Sequence, residues 1–372
     1  MIPESLRGRL EGWLLRVWFG PASFLDRLLA LLSSPLALPL SWLVSWIARR
    51  RRGRILRQQA GDPAVPVVVV GNLVAGGSGK TPLVVAIARS LTERGFRPGL
   101  LAGGYRSHGA TRPGERATGE RATGDGATLV DTASEAGEVG DEAVLLAIET
   151  GLPLAVGKDR AAAMACLLRA HPECDVIISD DGLQHVGLPR RLELLVIDDR
   201  GFGNGRCLPA GPLREPADRI DTVDALILAS DRAGAPPVAV RQFRSTVQLQ
   251  RFRSLDDARQ WEPLEFAREF ALQPLSAIAG IARPQRFFDS LEDLGLAPHC
   301  HALPDHARID PAWLAALPGR WLLMTAKDAV KCRRFERSLR ARCVSLEVAA
   351  IPDPALLKWL VTELRPAAYS NG

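Results

Sequence analysis

The apolar residues of this chain change their period several times, and each change predicts a different element. Over residues 4–18, Leu6, Leu10, Trp13, Leu14, Val17 and Trp18 recur three and four apart, with Arg7, Arg9, Glu11 and Arg16 off that stripe. That is the pattern of an amphipathic helix. Residues 28–48, "LLALLSSPLALPLSWLVSWIA", carry no charge. As a helix this run is about 30 Å long, the thickness of a bilayer's hydrocarbon core. Pro35 and Pro39 argue against one straight spanning helix, so insertion into one leaflet, full spanning and burial as a pair of core helices are all open. The period then shortens. "VPVVVVGN", 65–72, has β-branched residues on both faces, as a central parallel strand covered on both sides requires. A helical pattern follows over 81–94, with Pro82 in its first turn and Gly95 at its end. Apolar runs at 176–179, 192–197 and 224–229 repeat the strand signal.

After Ser230 come "GAPP" and the partly alternating "STVQLQRF", 245–252, a linker with paired strands. A new α/β alternation begins near 274. "LSAIAGIA" (275–282) reads as a strand and "PQRFFDSLEDLGL" (284–296) as a helix. "HALPDHARIDPAWLAAL" (301–317) reads as a loop then a helix, and "RWLLMTAKDAVKC" (320–332) as a strand running into a basic helix start. The expected fold is therefore α/β: a P-loop-containing parallel sheet domain over 61–232, a linker over 233–273, and a smaller α/β domain over 274–372. Ahead of these, 1–60 forms an N-terminal membrane-associated helical segment. A chain of 372 residues fits two domains better than one.

Charge sharpens the membrane reading. The net charge of +5 is modest, but six arginines fall within "RRRRGRILR", 49–57, directly after the uncharged run. Four of the eight tryptophans lie in the first 46 residues, and tryptophan favours the membrane interface. Basic residues stay on the cytoplasmic side, so the arginine run is expected to hold everything after it in the cytosol. The run abuts an apolar segment, so no nucleic-acid partner is expected, and no obligate protein partner is evident. A cleaved signal peptide does not fit, because the apolar run starts late and ends in arginines. The six cysteines are scattered without a CxxC pair, as reduced structural thiols are.

The candidate chemistry starts at "GGSGKT", 76–81. Gly76, Gly77, Ser78 and Gly79 offer backbone N–H groups that can curl around a phosphate; Lys80 can reach the β- and γ-phosphates, and Thr81 can place its hydroxyl on Mg²⁺. The helix that opens there adds a favourable dipole. The strict motif has glycine six residues before the lysine, where this chain has Val74. An acidic metal partner is offered by "CDVIISDDGLQH", 174–185, which puts Asp180 and Asp181 at the carboxyl end of a strand, where ligands of such sheets bind; an Asp-Gly turn is the plainer account. In "VGDEAVLLA", 139–147, Asp141 and Glu142 precede an apolar helix, either as cap and first-turn acid or as a base and a metal-tuning carboxylate. "GFGNGRCLPAGPLREP" (201–216) carries Arg206, Arg214 and Glu215 in a loop that could fold over a phosphate or merely connect. Asp305 and His306 form a carboxylate–imidazole pair, although on local sequence an exposed histidine is the plainer account. Lys327 and Lys331 either line an anionic cleft or are solvated helix charges. The near-tandem "GERATGERATG" within 109–127 reads as a solvated loop.

Together, "PVVVVGNLVAGGSGKTP", "GDE", "VGKDR", "DDGLQH", "GFGNGRCLPAGPLREP", "GIARPQRFF", "PDH" and "TAKDAVKC" resemble, in this order, the tetraacyldisaccharide 4′-kinase family of lipid A synthesis in Gram-negative bacteria. The resemblance covers nearly the whole chain. It implies two α/β domains joined by a two-stranded linker, with the active site in the cleft. It implies transfer of the γ-phosphate of ATP, with Mg²⁺, to the 4′-hydroxyl of a tetraacylated glucosamine disaccharide 1-phosphate held at the membrane. By motif match, Lys80 and Thr81 would grip phosphate and metal. Asp141 would be the base, aided by His306, while Glu142, Asp180 and Asp181 would serve the metal site. Gln184 and His185 follow as neighbours of the site. Gly103 stands where the family has an arginine before "GY", and Ala326 where it has an acid. The rival reading is a membrane-attached P-loop NTPase acting as a switch or transport ATPase. "TAKD" has its lysine one place too late for the guanine-specific Asn/Thr-Lys-x-Asp pattern.

Overall fold

The structure, a computed structural model, describes residues 4–20, 24–58, 64–77, 79–103, 126–230, 238–257 and 259–365. Ser78, the "GAPP" stretch and nearly all of the 109–127 repeat lie outside the described residues. Along the chain run α1 (Glu4–Phe19), α2 (Phe24–Gln58), β1 (Val67–Gly71), α3 (Lys80–Glu93), β2 (Pro98–Ala102), β3 (Ala127–Val130) and α4 (Ala136–Val139). Then come α5 (Asp141–Thr150), β4 (Leu154–Gly157), α6 (Arg160–Ala170), β5 (Val176–Asp180), β6 (Leu192–Ile197), β7 (Ala225–Leu228), β8 (Arg241–Ser254) and β9 (Gln260–Trp261). The last part holds α7 (Pro263–Phe270), β10 (Leu275–Ala279), α8 (Pro284–Asp293), β11 (His299–Ala302), α9 (Pro311–Ala316), β12 (Trp321–Thr325) and α10 (Ala326–Cys332). It closes with α11 (Arg337–Arg340), β13 (Cys343–Pro352) and α12 (Pro354–Leu364).

The chain forms two compact units, each discontinuous in sequence. One comprises Met1–Lys80 and Asp181–Ser245, the other Thr81–Asp180 and Thr246–Gly372. Each takes in stretches from more than one of the four expected segments.

In the first unit, β1, β6, β7 and the start of β8 pair in parallel. Every residue of β1, β6 and β7 is buried, which explains why these strands read as continuous apolar runs and not as alternations. Helix α2 continues through Pro35 and Pro39, although each proline removes a hydrogen bond from the helical ladder. Arg49 pairs with Asp218 at 2.7 Å, and Arg52 lies 3.6 Å from the buried Glu193. Leu36, Leu40, Trp42, Leu43, Trp46 and Ile47 remain exposed. Among the described residues no helix is long and apolar enough to cross a membrane.

In the second unit, β5, β2 and β4 are parallel neighbours and β3 closes the edge antiparallel to β4. A further parallel set runs β11–β10–β12–β13, followed by the end of β8, which pairs antiparallel with β9. Its core is aromatic: Phe252 stacks on Phe266 at 4.1 Å, and Trp261 meets Phe266, Phe270 and Trp321 edge-on. Residues 299–302 form the edge strand β11, of which 301–302 were expected as loop; mostly exposed "HCHA" gives no apolar signal for it. The expected short strand at 245–252 is part of the 14-residue β8. All six cysteines are free thiols.

Candidate active site

Strand β1 delivers the chain to the glycine-rich loop, and α3 begins at Lys80. Gly76 and Gly79 take φ of 95° and 72°, a region that glycine enters without penalty. In the first unit, Lys80 is nearly buried, and its Nζ donates to Asn72 Oδ1 at 2.9 Å and lies 3.2 Å from Asp181 Oδ1. Arg214 Nη1 donates to the other Asp181 oxygen at 2.8 Å and to Gln184 Oε1 at 3.3 Å. Gln184 Nε2 in turn donates to Glu215 at 2.9 Å and to the Asn72 carbonyl at 3.3 Å. Burial pushes the Asp181 carboxyl up, but the charges of Lys80 and Arg214 outweigh it and hold the group at about 2. Asp181 therefore stays ionised, and its φ of 51° places it in the left-handed region that non-glycine residues rarely enter.

The departure at Val74 has a structural cause. Val74 is buried and forms an antiparallel bridge with Leu213. Ala75 N donates to Pro212 O at 2.8 Å, and Arg214 N to Leu73 O at 2.7 Å. Asn72 Nδ2 donates to the Val74 carbonyl at 2.8 Å, and Arg200 to the Gly77 carbonyl at 2.9 Å. The "PAGPLREP" loop thus closes over the entry of the glycine-rich loop and carries Arg214 to Asp181 and Glu215 to Gln184. Asn72 and Arg214's pairing with Asp181 were not foreseen. The only local signal was a polar residue directly after a strand that is otherwise all apolar.

In the second unit, Thr81 Oγ1 donates to Asp180 Oδ2 at 3.1 Å. Two hard oxygen donors at the start of a helix and the end of a strand are the donor set that Mg²⁺ prefers. Arg160, from "VGKDR", is buried and donates to the carbonyls of Ala102, Gly157 (2.9 Å) and Asp180 (3.3 Å), tying the ends of β2, β4 and β5 together.

The same unit brings together residues far apart in sequence. Gly140, not Asp141, is the N-cap of α5, and no side-chain cap is made. The carboxylate of Asp141 faces His306 instead, with His306 Nδ1 at 3.0 Å from Oδ1 and 3.2 Å from Oδ2. Lys331 Nζ lies 3.5 Å from Asp141 Oδ2. Lys327 Nζ donates to Glu142 at 3.0 Å and to Asp305 at 3.2 Å, and stands 3.5 Å from His306 Nε2. His306 has φ of 60°, a second non-glycine residue held in the left-handed region beside reactive groups. Burial raises the Asp141 pKa, but the His306 hydrogen bond and the charges of Lys327, His306 and Lys331 bring it to about 2. The hydrogen bond to Asp141 raises the His306 pKa above its ordinary value, against burial and Lys327, which lower it. Burial lowers the Lys327 pKa, and the surrounding Glu142, Asp141 and Asp305 more than reverse that. A recess of about 550 Å³ opens beside the pair and is lined by Ser134, Arg308, Lys331 and Arg333 among others. His185 contributes its backbone carbonyl to Arg190. Gly77 lies in the loop with its carbonyl bonded to Arg200.

The chain is similar to known proteins over most of its length. The family model described as "Tetraacyldisaccharide-1-P 4'-kinase" matches residues 33–365. The tetraacyldisaccharide 4′-kinase of Bordetella petrii is 40% identical over 340 residues, 89% of this chain and 91% of the relative. That of Dechloromonas aromatica is 40% identical over 96% of this chain and 98% of its own length, and that of an Azoarcus species 44% over 82% and 84%. The crystal structure of LpxK from Aquifex aeolicus in complex with ATP superposes with a TM-score of 0.71 at 25% identity, covering 90% of this chain and all of that one. A parallel α/β fold, a glycine-rich phosphate loop and near full-length similarity lead to one assignment: this chain belongs to the tetraacyldisaccharide-1-phosphate 4′-kinase family.

Proposed function

We propose that this protein transfers the γ-phosphate of ATP to the 4′-hydroxyl of tetraacyldisaccharide 1-phosphate, giving the 1,4′-bisphosphate. The observation that carries this reading is the Asp141–His306 pair, closed at 3.0 Å across 165 residues of a chain in the kinase family. Phosphoryl transfer asks little covalent chemistry of a protein and much positioning and charge neutralisation. The glycine-rich loop with Lys80 binds the triphosphate. Thr81 and Asp180 are the residues that would hold Mg²⁺, which when bound neutralises charge on the β- and γ-phosphates. Asp181 keeps Lys80 oriented until phosphate takes the carboxylate's place beside the lysine.

Asp141 orients the acceptor hydroxyl and accepts its proton. A carboxylate held near 2 is a weak base, but in a loose transition state the proton leaves late, and His306 shares it as it arrives. The exposed apolar face of α2, with its tryptophans and the arginines after it, rests in the cytoplasmic leaflet of the inner membrane, where the acyl chains of the acceptor remain.

The test is incubation of the detergent-solubilised protein with Mg-ATP and the tetraacyl disaccharide 1-phosphate, followed by mass measurement of the lipid. A gain of one phosphate, absent in Lys80→Ala, is expected. ATP hydrolysis without any change in the lipid would favour the switch or transport reading.

A further inference from the structure

Two motifs, "GIARPQRFF" and "TAKDAVKC", meet at one fully buried carboxylate that the chemistry above does not use. Asp328, in the first turn of α10, has no exposed surface. A helix start accounts for part of its bonding: Thr325 is the N-cap, its hydroxyl accepts from Asp328 N at 3.1 Å and donates to Asp328 Oδ2 at 2.7 Å. It does not account for the rest. Gly280 N, at the end of β10, donates to the same Oδ2 at 2.9 Å, and Lys331 Nζ donates to Oδ1 at 2.8 Å. Each of these two partners leads to one half of the catalytic pair. The Gly280 carbonyl accepts from His306 N at 3.3 Å, and Lys331 Nζ lies 3.5 Å from Asp141 Oδ2. A Cβ on Gly280 would come 2.9 Å from Asp328 Oδ1 and 3.4 Å from Lys331 Nζ, so glycine is the residue that lets the three groups close together.

We infer that Asp328 is a positioning residue for the Asp141–His306 pair: its carboxylate fastens Lys331 against Asp141 and, through the Gly280 backbone, the loop that carries His306. A buried carboxylate with two oxygens and donors from a strand end, a helix cap and a lysine fixes all three relative to one another. The ammonium of Lys331, tethered on one side, can neither swing into solvent nor collapse fully onto Asp141. It holds the Asp141 carboxylate in the orientation that His306 meets, while the strained φ of His306 is maintained by the backbone bond to Gly280. The kinetic part of this inference rests on the kinase reading given above; the geometric part does not.

The experiment therefore has two arms, both on the full chain. In the first, the imidazole ¹⁵N resonances of His306, assigned by their loss in His306→Gln, are compared in wild type, Asp328→Asn and Lys331→Met. Asp328→Asn preserves shape, and Lys331→Met preserves packing should the buried change prevent folding. A changed His306 ring environment in both variants, with thermal unfolding still cooperative, is expected; unchanged resonances overturn the inference. In the second arm, lipid phosphorylation is measured. Lys331→Met should lower kcat by about tenfold or more while KM for ATP stays within about twofold. In an Asp141→Asn background the same change should have no further effect, because the residue it positions is gone. Losses that multiply in the double variant mean general structural damage and refute the positioning role. A wild type that fails to phosphorylate lipid refutes the kinase reading, and the resonance arm then decides the geometry alone.

Discussion

Two regions hold the candidate site residues, and they are built on opposite plans. The phosphate region is local in sequence. Asn72, Lys80 and Thr81 fall within ten residues; Asp181, Gln184 and Arg214, on two loops, gather around Lys80 in the first unit, and Asp180, at a strand end, pairs with Thr81 in the second. The Asp141 region is assembled over distance: a helix start at 141, a loop at 305–306 and a helix at 327–331. Phosphate recognition uses backbone amides and one lysine, a need that a short glycine-rich loop can meet. Activating a hydroxyl needs a carboxylate held among cations, and three separate elements are required to surround it. The first kind of site leaves a readable string; the second leaves single residues.

The contrast can be broken or sharpened by substitution. The largest effect is expected for Lys80→Ala, which should lower kcat/KM by about a thousandfold and weaken ATP binding, as read by nucleotide titration and lipid phosphorylation together. Asp141→Ala should lower turnover by at least about a hundredfold and leave ATP affinity intact; undiminished turnover would remove Asp141 as the base. His306→Gln should cost about tenfold in kcat, since Asp141 persists. The same pair should register in stability. The His306 pKa is raised above its ordinary 6.5, so its stabilising contribution is complete below that value and is lost as pH rises through the folded-state value. Melting temperatures of wild type and His306→Gln should differ at about pH 5.5 and converge by about pH 9. The smallest effect belongs to Val74→Gly, which restores the strict glycine spacing. It should leave turnover and ATP affinity nearly unchanged while costing about 2–3 kcal/mol in denaturant unfolding, because a buried valine side chain is lost and the unfolded chain gains freedom.

Most of the parallel sheet was legible because its strands are buried on both faces and read as apolar blocks, from Val67–Gly71 to Ala225–Leu228. Strands β2, β4 and β13 were nonetheless not read, and neither was the edge strand β11, whose mixed exposure leaves no such block. In the phosphate region the sequence announced Lys80 and Thr81 through spacing alone. Asp141 and His306 were individually visible, but nothing local distinguished a helix cap from a base or an exposed imidazole from a partnered one. Their 3.0 Å contact is a product of tertiary packing, as are the lysines around them. The role of Val74 was illegible for the same reason: its partner Leu213 lies 139 residues on, in a loop with no strand pattern.

That bridge has a consequence for how a ligand competes for the phosphate loop. The entry to the loop, Leu73–Ala75, is pinned by the backbone of 212–214, so the conformational entropy of ordering that entry is spent when the chain folds and not when ATP arrives. Nucleotide affinity then depends on a latch that nucleotide need not touch. A small molecule that wedged Leu213 away from Val74 would let the loop open and weaken ATP binding while sharing no feature with ATP.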